Sequence, residues 1–401
     1  MKYDLVFEGG GAKGMVFVGA YEAFSAQGHT PGRLLGTSAG AITATLVAAG
    51  YSSEELLAAL NERENGKSVF AGFMGDPLPF SKEEIQASAI RSLLGKINFT
   101  FAPGFVENRI DDGIAETLAQ QAQSRHFFAF VERGGWYSAQ RFLTWMRDKL
   151  DSGTWQGQPR RFSAMTLEQF HSMTQVDLSV IASDETGGRL LVLNHRTAPQ
   201  CPLLWAVRMS MSIPLVWDEV IWQPNWGSYL GRDLSNHAIV DGGLLSNFPM
   251  ELFISDEPYV TQCMGPKQDS AILGLLIDDA LPVPQPAASR GLLVNVDVKP
   301  AELRTTKRLL RLLNTMMAAH DKLVMDAFSH LVVHLPAGGY GVTEFDMSDD
   351  RRNALVDAGR TAMNDYFARP SPAAIPNELE VYEQENARAA ANRIALNILQ
   401  P

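Results

Sequence analysis

The first fifty residues alternate twice between an apolar run, a glycine-rich turn and a helix-like segment. Tyr3–Glu8 forms a strand-like run that leads directly into the glycines of residues 9–14, and Leu34-Leu35 begin a second run that breaks at Gly36. After each turn, apolar residues recur at helical spacing. This order predicts an α/β domain on a parallel sheet, because the helix after each strand returns the chain to start a neighbouring strand in the same direction.

The rest of the chain continues this mixture of strands and helices. Strands are expected at Asp177–Ala182, Leu190–Leu193, Ala238–Val240, Ala271–Ile277 and Leu331–His334. Helices are expected at Trp136–Leu150, Leu203–Met211, Ala301–Phe328 and Asp349–Tyr366. Periodicity weakens over residues 65–135, which predicts an insert that is either a lid or a packed helical subdomain. We expect one domain over residues 1–370 and a tail at 371–401 that ends in a short, Ala-rich helix.

Charge and hydropathy narrow the classes of function. The chain has 34 Lys and Arg against 45 Asp and Glu, and this net charge of −11 argues against nucleic acid as a partner. Anionic lipid repels such a chain at long range, so any membrane contact is expected to be transient, local and apolar. The sequence shows no apolar signal segment and no run of the roughly 18 apolar residues that a spanning helix needs. We therefore expect a cytoplasmic chain.

Metal ions and other cofactors are not expected. Cys201 and Cys263 are the only cysteines, too few for a disulfide framework or a thiolate-rich metal site. The sequence has no H-E-x-x-H motif, and its eight histidines do not cluster at ligand spacing. The chemistry is therefore expected to rest on side chains and backbone alone.

Gly36-Thr37-Ser38-Ala39-Gly40 matches the pattern G-x-S-x-G, with a strand before it and a helix after it. A nucleophilic serine on a sharp strand-to-helix turn needs glycines two residues away on both sides, because larger side chains would collide across the turn. The following helix directs its positive N-terminal end toward this serine and favours negative charge that develops there. Ser38 is therefore the candidate nucleophile.

The glycine run from Gly9 to Gly14 fits the dinucleotide fingerprint G-x-G-x-x-G. That fingerprint also requires an acidic residue at the end of the next strand, where this chain has Gly36-Thr37-Ser38 instead. No GK[ST] follows, so a Walker A loop is excluded as well. The run serves either close packing or the presentation of backbone N–H groups to an anion, which beside Ser38 would make it an oxyanion hole.

Asp241-Gly242-Gly243 follows the predicted strand Ala238–Val240 directly. We expect Asp241 at the same sheet edge as the two glycine loops, because parallel strands place their carboxyl ends on one side. The two glycines leave room for backbone or substrate to approach closely. Asp241 is therefore the candidate base for Ser38, against the alternative that it caps a turn.

These motifs, in this order, resemble those of the patatin-like phospholipases. The similarity covers roughly residues 3 to 365, with the insert as its least typical part, and it includes these stretches: Glu8-Gly9-Gly10-Gly11-Ala12-Lys13-Gly14, Gly36-Thr37-Ser38-Ala39-Gly40, Ala206-Val207-Arg208-Met209-Ser210-Met211-Ser212-Ile213-Pro214, Asp241-Gly242-Gly243 and Asn247-Phe248-Pro249. The resemblance implies a three-layer α/β/α sandwich around a mainly parallel sheet, a modified α/β-hydrolase-like fold. It also implies esterase activity on phospholipids or other acyl lipids.

The resemblance assigns roles to the matching residues. Ser38 would be the nucleophile and Asp241 the general base of a dyad that works through an acyl-enzyme. The oxyanion hole would come from the backbone around Gly9, Gly10 and Gly11. The remaining motif residues would support these groups: Lys13, Gly14, Gly36, Gly40, Gly242 and Gly243. An ordinary aspartate is a weak base, so burial is expected to tune Asp241.

Two other functions stay open at this level. A Ser-Asp-His hydrolase has its chain order available, since His320, His330 and His334 follow Asp241. A non-catalytic module would use Gly9–Gly14 to bind an anion or a nucleotide. The sequence leaves head group, acyl position, chain length, activating partner and oligomeric state open.

Overall fold

A computed structural model of the chain describes residues 1–94, 115–284, 328–369 and 378–399. Its strands are β1 (Lys2–Phe7), β2 (Thr30–Thr37), β3 (Arg63–Glu64), β4 (Lys67–Ser68), β5 (Gly135–Tyr137), β6 (Thr154–Trp155), β7 (Gln158–Pro159), β8 (Leu178–Asp184), β9 (Arg189–Leu193), β10 (Leu215–Trp217), β11 (Val220–Ile221), β12 (Ala238–Asp241), β13 (Ala271–Pro282) and β14 (Val332–Gly338).

Helices surround these strands. They are α1 (Val16–Ala26), α2 (Ala39–Ala48), α3 (Ser53–Leu60), α4 (Lys82–Ala87), α5 (Ala89–Leu94), α6 (Ala122–Glu132), α7 (Gln140–Asp151), α8 (Leu167–Thr174), α9 (Leu203–Ser210), α10 (Glu251–Ile254), α11 (Pro258–Met264), α12 (Asp349–Ala368) and α13 (Glu378–Leu399). Within the described residues, no helix is both long enough and apolar enough to cross a bilayer.

The central sheet has eight strands, in the order β11-β12-β8-β2-β1-β13-β14, with β9 also paired to β8. All pairings from β8 through β2, β1 and β13 to β14 are parallel. β12 pairs antiparallel with both β8 and β11, and β9 pairs antiparallel with β8. The expected α/β fold on a mainly parallel sheet is therefore confirmed.

The sheet is buried on both faces, and β1 shows this in three consecutive residues. Leu5 and Phe7 belong to the larger apolar cluster, whereas Val6 between them belongs to a second cluster. Successive side chains of a strand point to opposite faces, so each cluster lies on its own side of the sheet. A strand that is apolar on both faces needs a layer on each side, which gives the three-layer architecture.

Several predicted elements have different bounds in the structure. Trp136 lies in strand β5, so the helix expected at Trp136–Leu150 begins only at Gln140. The terminal helix is α13, which has 22 residues rather than one short stretch. It is long because Ala391, Ile394 and Ala395 pack into the second apolar cluster. The helix expected at Ala301–Phe328 falls on residues 301–327, outside the described part of the chain.

The described part of the insert has an apolar cluster of its own. It contains Phe80, Ile85, Ile90, Ala115, Ala119, Phe128 and Ala129. Glu132 of α6 accepts the backbone N–H groups of Ala89 and Ile90 and so caps the start of α5. These contacts hold the helices of the insert against one another.

Candidate active site

Ser38 stands on the sharp turn between β2 and α2, with φ 53° and ψ −120°. Non-glycine residues rarely adopt this conformation, which costs on the order of 1–3 kcal/mol. The turn is so tight that a Cβ at position 40 would lie 2.2 Å from the Phe7 carbonyl oxygen. A Cβ at position 36 would lie 2.4 Å from the Gly40 carbonyl oxygen. Both glycines of the motif are therefore required by close backbone approach.

The backbone of Ser38 is held from a second element. Its N–H donates to Ser210 Oγ at the end of α9, at 2.9 Å. Ser210 is fully buried, and Ser38 is nearly so. This hydrogen bond joins the strained turn to α9 and fixes it from outside its own strand and helix.

Asp241 ends β12, and the sheet register places it next to Ser38. The last residue of β2, Thr37, is opposite Ile181 of β8, and Asp241 is opposite the next residue, Ala182. β12 runs antiparallel to β8, so the expectation that a parallel strand delivers Asp241 was wrong. Instead, the last residues of β2 and β12 approach the same point of β8 from opposite directions.

The Asp241 carboxyl is completely buried, and its pKa lies near neutral pH. Burial raises its pKa from 3.8 to about 7, although interactions with the Ser38 side chain and the Gly243 N–H act in the opposite direction. Its Oδ1 accepts the Gly243 N–H at 2.8 Å, and its own N–H donates to the Ser212 carbonyl at 2.9 Å. A carboxyl with a pKa near 7 suits a general base at neutral pH.

Oδ2 of Asp241 has no partner with normal hydrogen-bond geometry among the described residues. The Ser38 side chain nevertheless lowers the pKa of Asp241, which places it among the groups that act on this carboxyl. Such contacts between catalytic groups commonly tighten only when substrate is bound. Burial without a second partner leaves this oxygen free to receive a proton.

The glycine loop lies directly against Ser38. A Cβ at position 9 would come within 3.1 Å of Ser38 Cβ, which shows how closely the two backbones approach. The Gly9 N–H donates to the Asn247 carbonyl at 3.1 Å, so this amide is not free to bind an oxyanion. Within the described part of the chain, the N–H groups of Gly10 and Gly11 have no acceptor. The structure thus reduces the three expected donors to two.

Side chains anchor this loop to the strand β13 on its other side. Lys13 forms a salt bridge with Asp279, with Nζ 2.8 Å from Oδ2. The buried Glu8 carboxylate accepts the Ile277 N–H and, at 3.2 Å, the Asn247 side-chain amide. Lys13 is therefore engaged in holding the loop. Gly14 permits a further contact, because a Cβ there would lie 2.5 Å from Ala39 Cβ.

The segment 206–214, to which the sequence patterns assigned no individual roles, holds the backbones of both Ser38 and Asp241. Ser210 accepts from Ser38, and the Ser212 carbonyl accepts from Asp241. The fully buried Arg208 donates to Ser212 Oγ and, at 2.8 Å, to the carboxylate of Asp218. The only sequence pattern that could have indicated these contacts is the pair Ser210 and Ser212 at the end of the predicted helix Leu203–Met211.

An apolar cavity begins beside the loop and the turn. Its cavity volume is about 70 Å³, within about 530 Å³ of space that is partly open to solvent. The lining residues come from the glycine loop, from α1, α2 and α3, and from four aromatic side chains: Gly11, Ala12, Gly14, Met15, Val18, Ala39, Ile42, Thr43, Leu46, Leu56, Ala59, Leu60, Phe70, Phe73, Trp145 and Phe345. Thr43 and Trp145 carry the polar groups of this lining, and both already donate, Thr43 to the Ala39 carbonyl and the Trp145 indole to Glu62. The cavity therefore suits a hydrocarbon chain.

Among the described residues, no histidine forms a hydrogen bond or ion pair with Ser38 or Asp241 or contributes to the pKa of Asp241. His334 pairs with Asp278 through Nδ1 at 2.9 Å, and His330 lies in the short 3-10 turn Ser329–Leu331 before β14. His320 lies outside the described residues. The described residues that lie nearest to Ser38 through the sheet register therefore include Asp241 and no assigned histidine partner.

A strained serine at a strand–helix turn, a buried carboxyl and a glycine loop thus lie together on the mainly parallel sheet of an α/β protein. The family model of the patatin-like phospholipases matches residues 5–254, more than half of the chain. The chain therefore belongs to this family of lipid ester hydrolases.

Individual relatives are distant. YqhO, an uncharacterized protein of Bacillus subtilis (strain 168), is 25% identical over 375 residues, which cover 90% of this chain and 96% of YqhO. VipD from Legionella pneumophila is 15% identical with a TM-score of 0.43, and the match covers 91% of this chain and 66% of VipD. The type III effector ExoU, from Pseudomonas aeruginosa, is 16% identical with a TM-score of 0.38, and the match covers 91% of this chain and 52% of ExoU.

Proposed function

We propose that this chain is a serine lipid acyl hydrolase of the phospholipase A or lysophospholipase type. Ser38 is the nucleophile, Asp241 is the general base, and Gly10 and Gly11 provide the oxyanion hole. The observation that carries this proposal is the strained Ser38 turn held next to a fully buried Asp241 whose pKa is about 7. Strain and an unneutralised buried carboxyl both cost stability, which is typical of a catalytic site.

In the first half-reaction, Ser38 Oγ attacks the ester carbonyl while its proton passes to Asp241. The carbonyl oxygen becomes an oxyanion, which accepts the free N–H groups of Gly10 and Gly11. The intermediate collapses as the ester C–O bond breaks, and the leaving alcohol takes the proton from Asp241. The products are a free alcohol or lysolipid and an acyl-enzyme on Ser38.

In the second half-reaction, water attacks the acyl-enzyme and gives its proton to Asp241. The second tetrahedral intermediate then releases Ser38, which takes the proton back, and the fatty acid leaves. A carboxylate has no tautomer to fix, so the dyad needs no third member. The reaction as written uses only these side chains, backbone amides and water.

The substrate class follows from the cavity beside the dyad. Its apolar lining favours the acyl chain of a lipid, whereas a polar acyl group would lose its hydrogen bonds to water there. Phospholipids present such chains at a surface, so transient contact with a membrane is part of the proposal. Because the net charge is −11, we expect this contact to be local and apolar.

The test compares wild type with Ser38→Ala and Asp241→Asn on a short-chain aryl ester and on phosphatidylcholine vesicles. We expect Ser38→Ala to be inactive and Asp241→Asn to lose roughly 10²–10⁴-fold in kcat, the usual range for a general base. A fluorophosphonate probe should label wild type at Ser38 and leave Ser38→Ala unlabelled. Ser235→Ala and Asp233→Asn provide matched controls, because these residues form an exposed serine–aspartate pair away from the site and should keep full activity.

Two outcomes would contradict the proposal. Loss of activity in folded His320→Ala, with or without turnover by Asp241→Asn, would establish a histidine as the base instead of Asp241. Absence of both turnover and probe labelling in wild type, with unchanged ligand affinity in Ser38→Ala, would establish a binding module. Circular dichroism of each variant separates these outcomes from unfolding.

A further inference from the structure

We propose that His171, Asp177 and His195 bind a divalent transition-metal ion of the Zn²⁺ type. Asp177 immediately precedes β8, whereas Ser38 follows the parallel strand β2, so this group lies at the opposite end of the sheet from the dyad. Sequence spacing does not indicate this group, because His171 and His195 lie 24 positions apart and meet only in the fold. The proposal is independent of the hydrolase activity.

The three side chains stand close enough to share one ion. The imidazole rings of His171 and His195 stack with centroids 3.5 Å apart and planes inclined by 2°. His195 Nδ1 lies 3.7 Å from Asp177 Oδ1, and one ligand atom from each of the three residues lies within 4.8 Å of the other two. It is the one such group of metal-ligating side chains in the ranges that the structure describes.

A backbone carbonyl sets the orientation of His171. Its Nδ1 lies 3.1 Å from the Val176 carbonyl oxygen. A carbonyl only accepts, so Nδ1 carries the proton and Nε2 keeps its lone pair. Histidines that ligate metals usually make this contact through their other ring nitrogen, because it fixes both the tautomer and the ring plane.

The ligand set selects the kind of ion. Two imidazoles and one carboxylate suit Zn²⁺, Co²⁺ or Ni²⁺, whereas Mg²⁺ and Ca²⁺ prefer oxygen ligands. The lone pair of an imidazole nitrogen lies in the ring plane, so the two stacked rings must tilt out of parallel to share one ion, and water would complete the coordination shell. The ion would connect the end of α8, the start of β8 and the segment after β9. Its effect is therefore expected on stability, with no role at Ser38.

Arg196 competes with the ion for Asp177. Its guanidinium donates to both carboxylate oxygens, at 2.7 and 3.2 Å. The side chain is 27% exposed, so it is able to swing into solvent when an ion takes its place. The exposed Gln268 amide donates to Asp177 Oδ2 at 3.2 Å. It must also move away if both carboxylate oxygens bind the ion. Removing Arg196 should consequently strengthen metal binding.

The experiment uses the full chain with any histidine tag removed. Zn²⁺ binding is measured by isothermal titration calorimetry, Co²⁺ binding by visible absorption, and stability by thermal unfolding with and without Zn²⁺. We expect one bound ion, Co²⁺ bands of a histidine-containing site, and a higher Tm with Zn²⁺. His171→Ala and His195→Ala should each weaken binding at least tenfold, and Arg196→Ala should strengthen it about tenfold. Mg²⁺ and Ca²⁺ should give no signal.

Two controls make the result specific. His334→Ala removes a histidine that also pairs with an aspartate and should leave the affinity unchanged. Arg189→Ala removes a partly exposed arginine beside Asp184 and should likewise have no effect. Equal weakening by His334→Ala, no detectable Zn²⁺ binding by wild type and Arg196→Ala, or unchanged affinity in Arg196→Ala would overturn the proposal. Arg196→Ala keeps all three proposed ligands, so its metal affinity remains informative even if a histidine variant unfolds.

Discussion

Asp177 immediately precedes β8, and Asp241 lies opposite Ala182 further along the same strand. The surroundings of the two carboxyls shift their pKa values in opposite directions. Burial would raise the pKa of Asp177, but the hydrogen bonds and charge of Arg196 outweigh it and hold the pKa below its usual value. Asp241 has no cation beside it, and burial raises its pKa to about 7. The guanidinium beside Asp177 and the complete burial of Asp241 thus drive the two pKa values apart.

The largest expected difference between the two carboxyls is in stability. The folded protein keeps a proton on Asp241 up to a pH of about 7, while the unfolded chain loses it near 4. Stability from this group therefore falls as the pH rises through that window, and at pH 8 the ionised carboxyl costs up to about 4 kcal/mol. Asp241→Asn should raise the free energy of unfolding at pH 8 and change it little at pH 4, as measured by urea denaturation.

Asp177 should behave in the opposite way. Its lowered pKa makes a stabilising contribution that is complete above the unfolded pKa and is lost as the pH falls through the folded pKa. Asp177→Asn should therefore lower the free energy of unfolding at pH 8 and have less effect at acid pH. If both variants shift stability in the same direction at pH 8, the contrast between the two sites is wrong.

The next expected effect is on the pH dependence of the proposed reaction. Asp241 must be ionised to accept the Ser38 proton, so kcat/KM should rise about tenfold per pH unit below 7 and level off above it. Initial rates on a soluble aryl ester between pH 5 and 9 measure this, after preincubation controls for stability. A midpoint near 4 would mean that Asp241 is not the base, or that substrate access hydrates it.

A smaller effect is expected from Ser210, which holds the nucleophile turn. Ser210→Ala leaves the buried Ser38 N–H without its acceptor, which costs about 1–3 kcal/mol. We expect kcat to fall about tenfold with little change in KM, because the turn loses its support while the cavity is untouched. Thr at position 210 should restore most of kcat, since it keeps the hydroxyl. Equal losses in the Thr and Ala variants would point to packing instead of positioning.

Short sequence patterns predicted those features that depend only on neighbouring residues. The two glycine turns, the strand before each, and the positions of Ser38 and Asp241 all follow from short segments whose backbone demands leave few options. The direction of β12 did not follow, because a four-residue strand carries no mark of the partner it will join. The loss of Gly9 as a donor depends on Asn247, more than 230 residues away, and the meeting of His171 with His195 depends on tertiary packing alone.

The position of β1 has a consequence in time as well as in space. β1 lies between β2 and β13, and β13 is translated some 270 residues after it. During synthesis the first strand of the protein therefore waits with one edge unpaired, which is a hazard for misassembly and a reason to engage a chaperone. Asn247, which accepts the Gly9 N–H, and Asp241, the proposed base, are also made more than 200 residues after the glycine loop. We expect nascent chains to remain inactive until most of the polypeptide has been made.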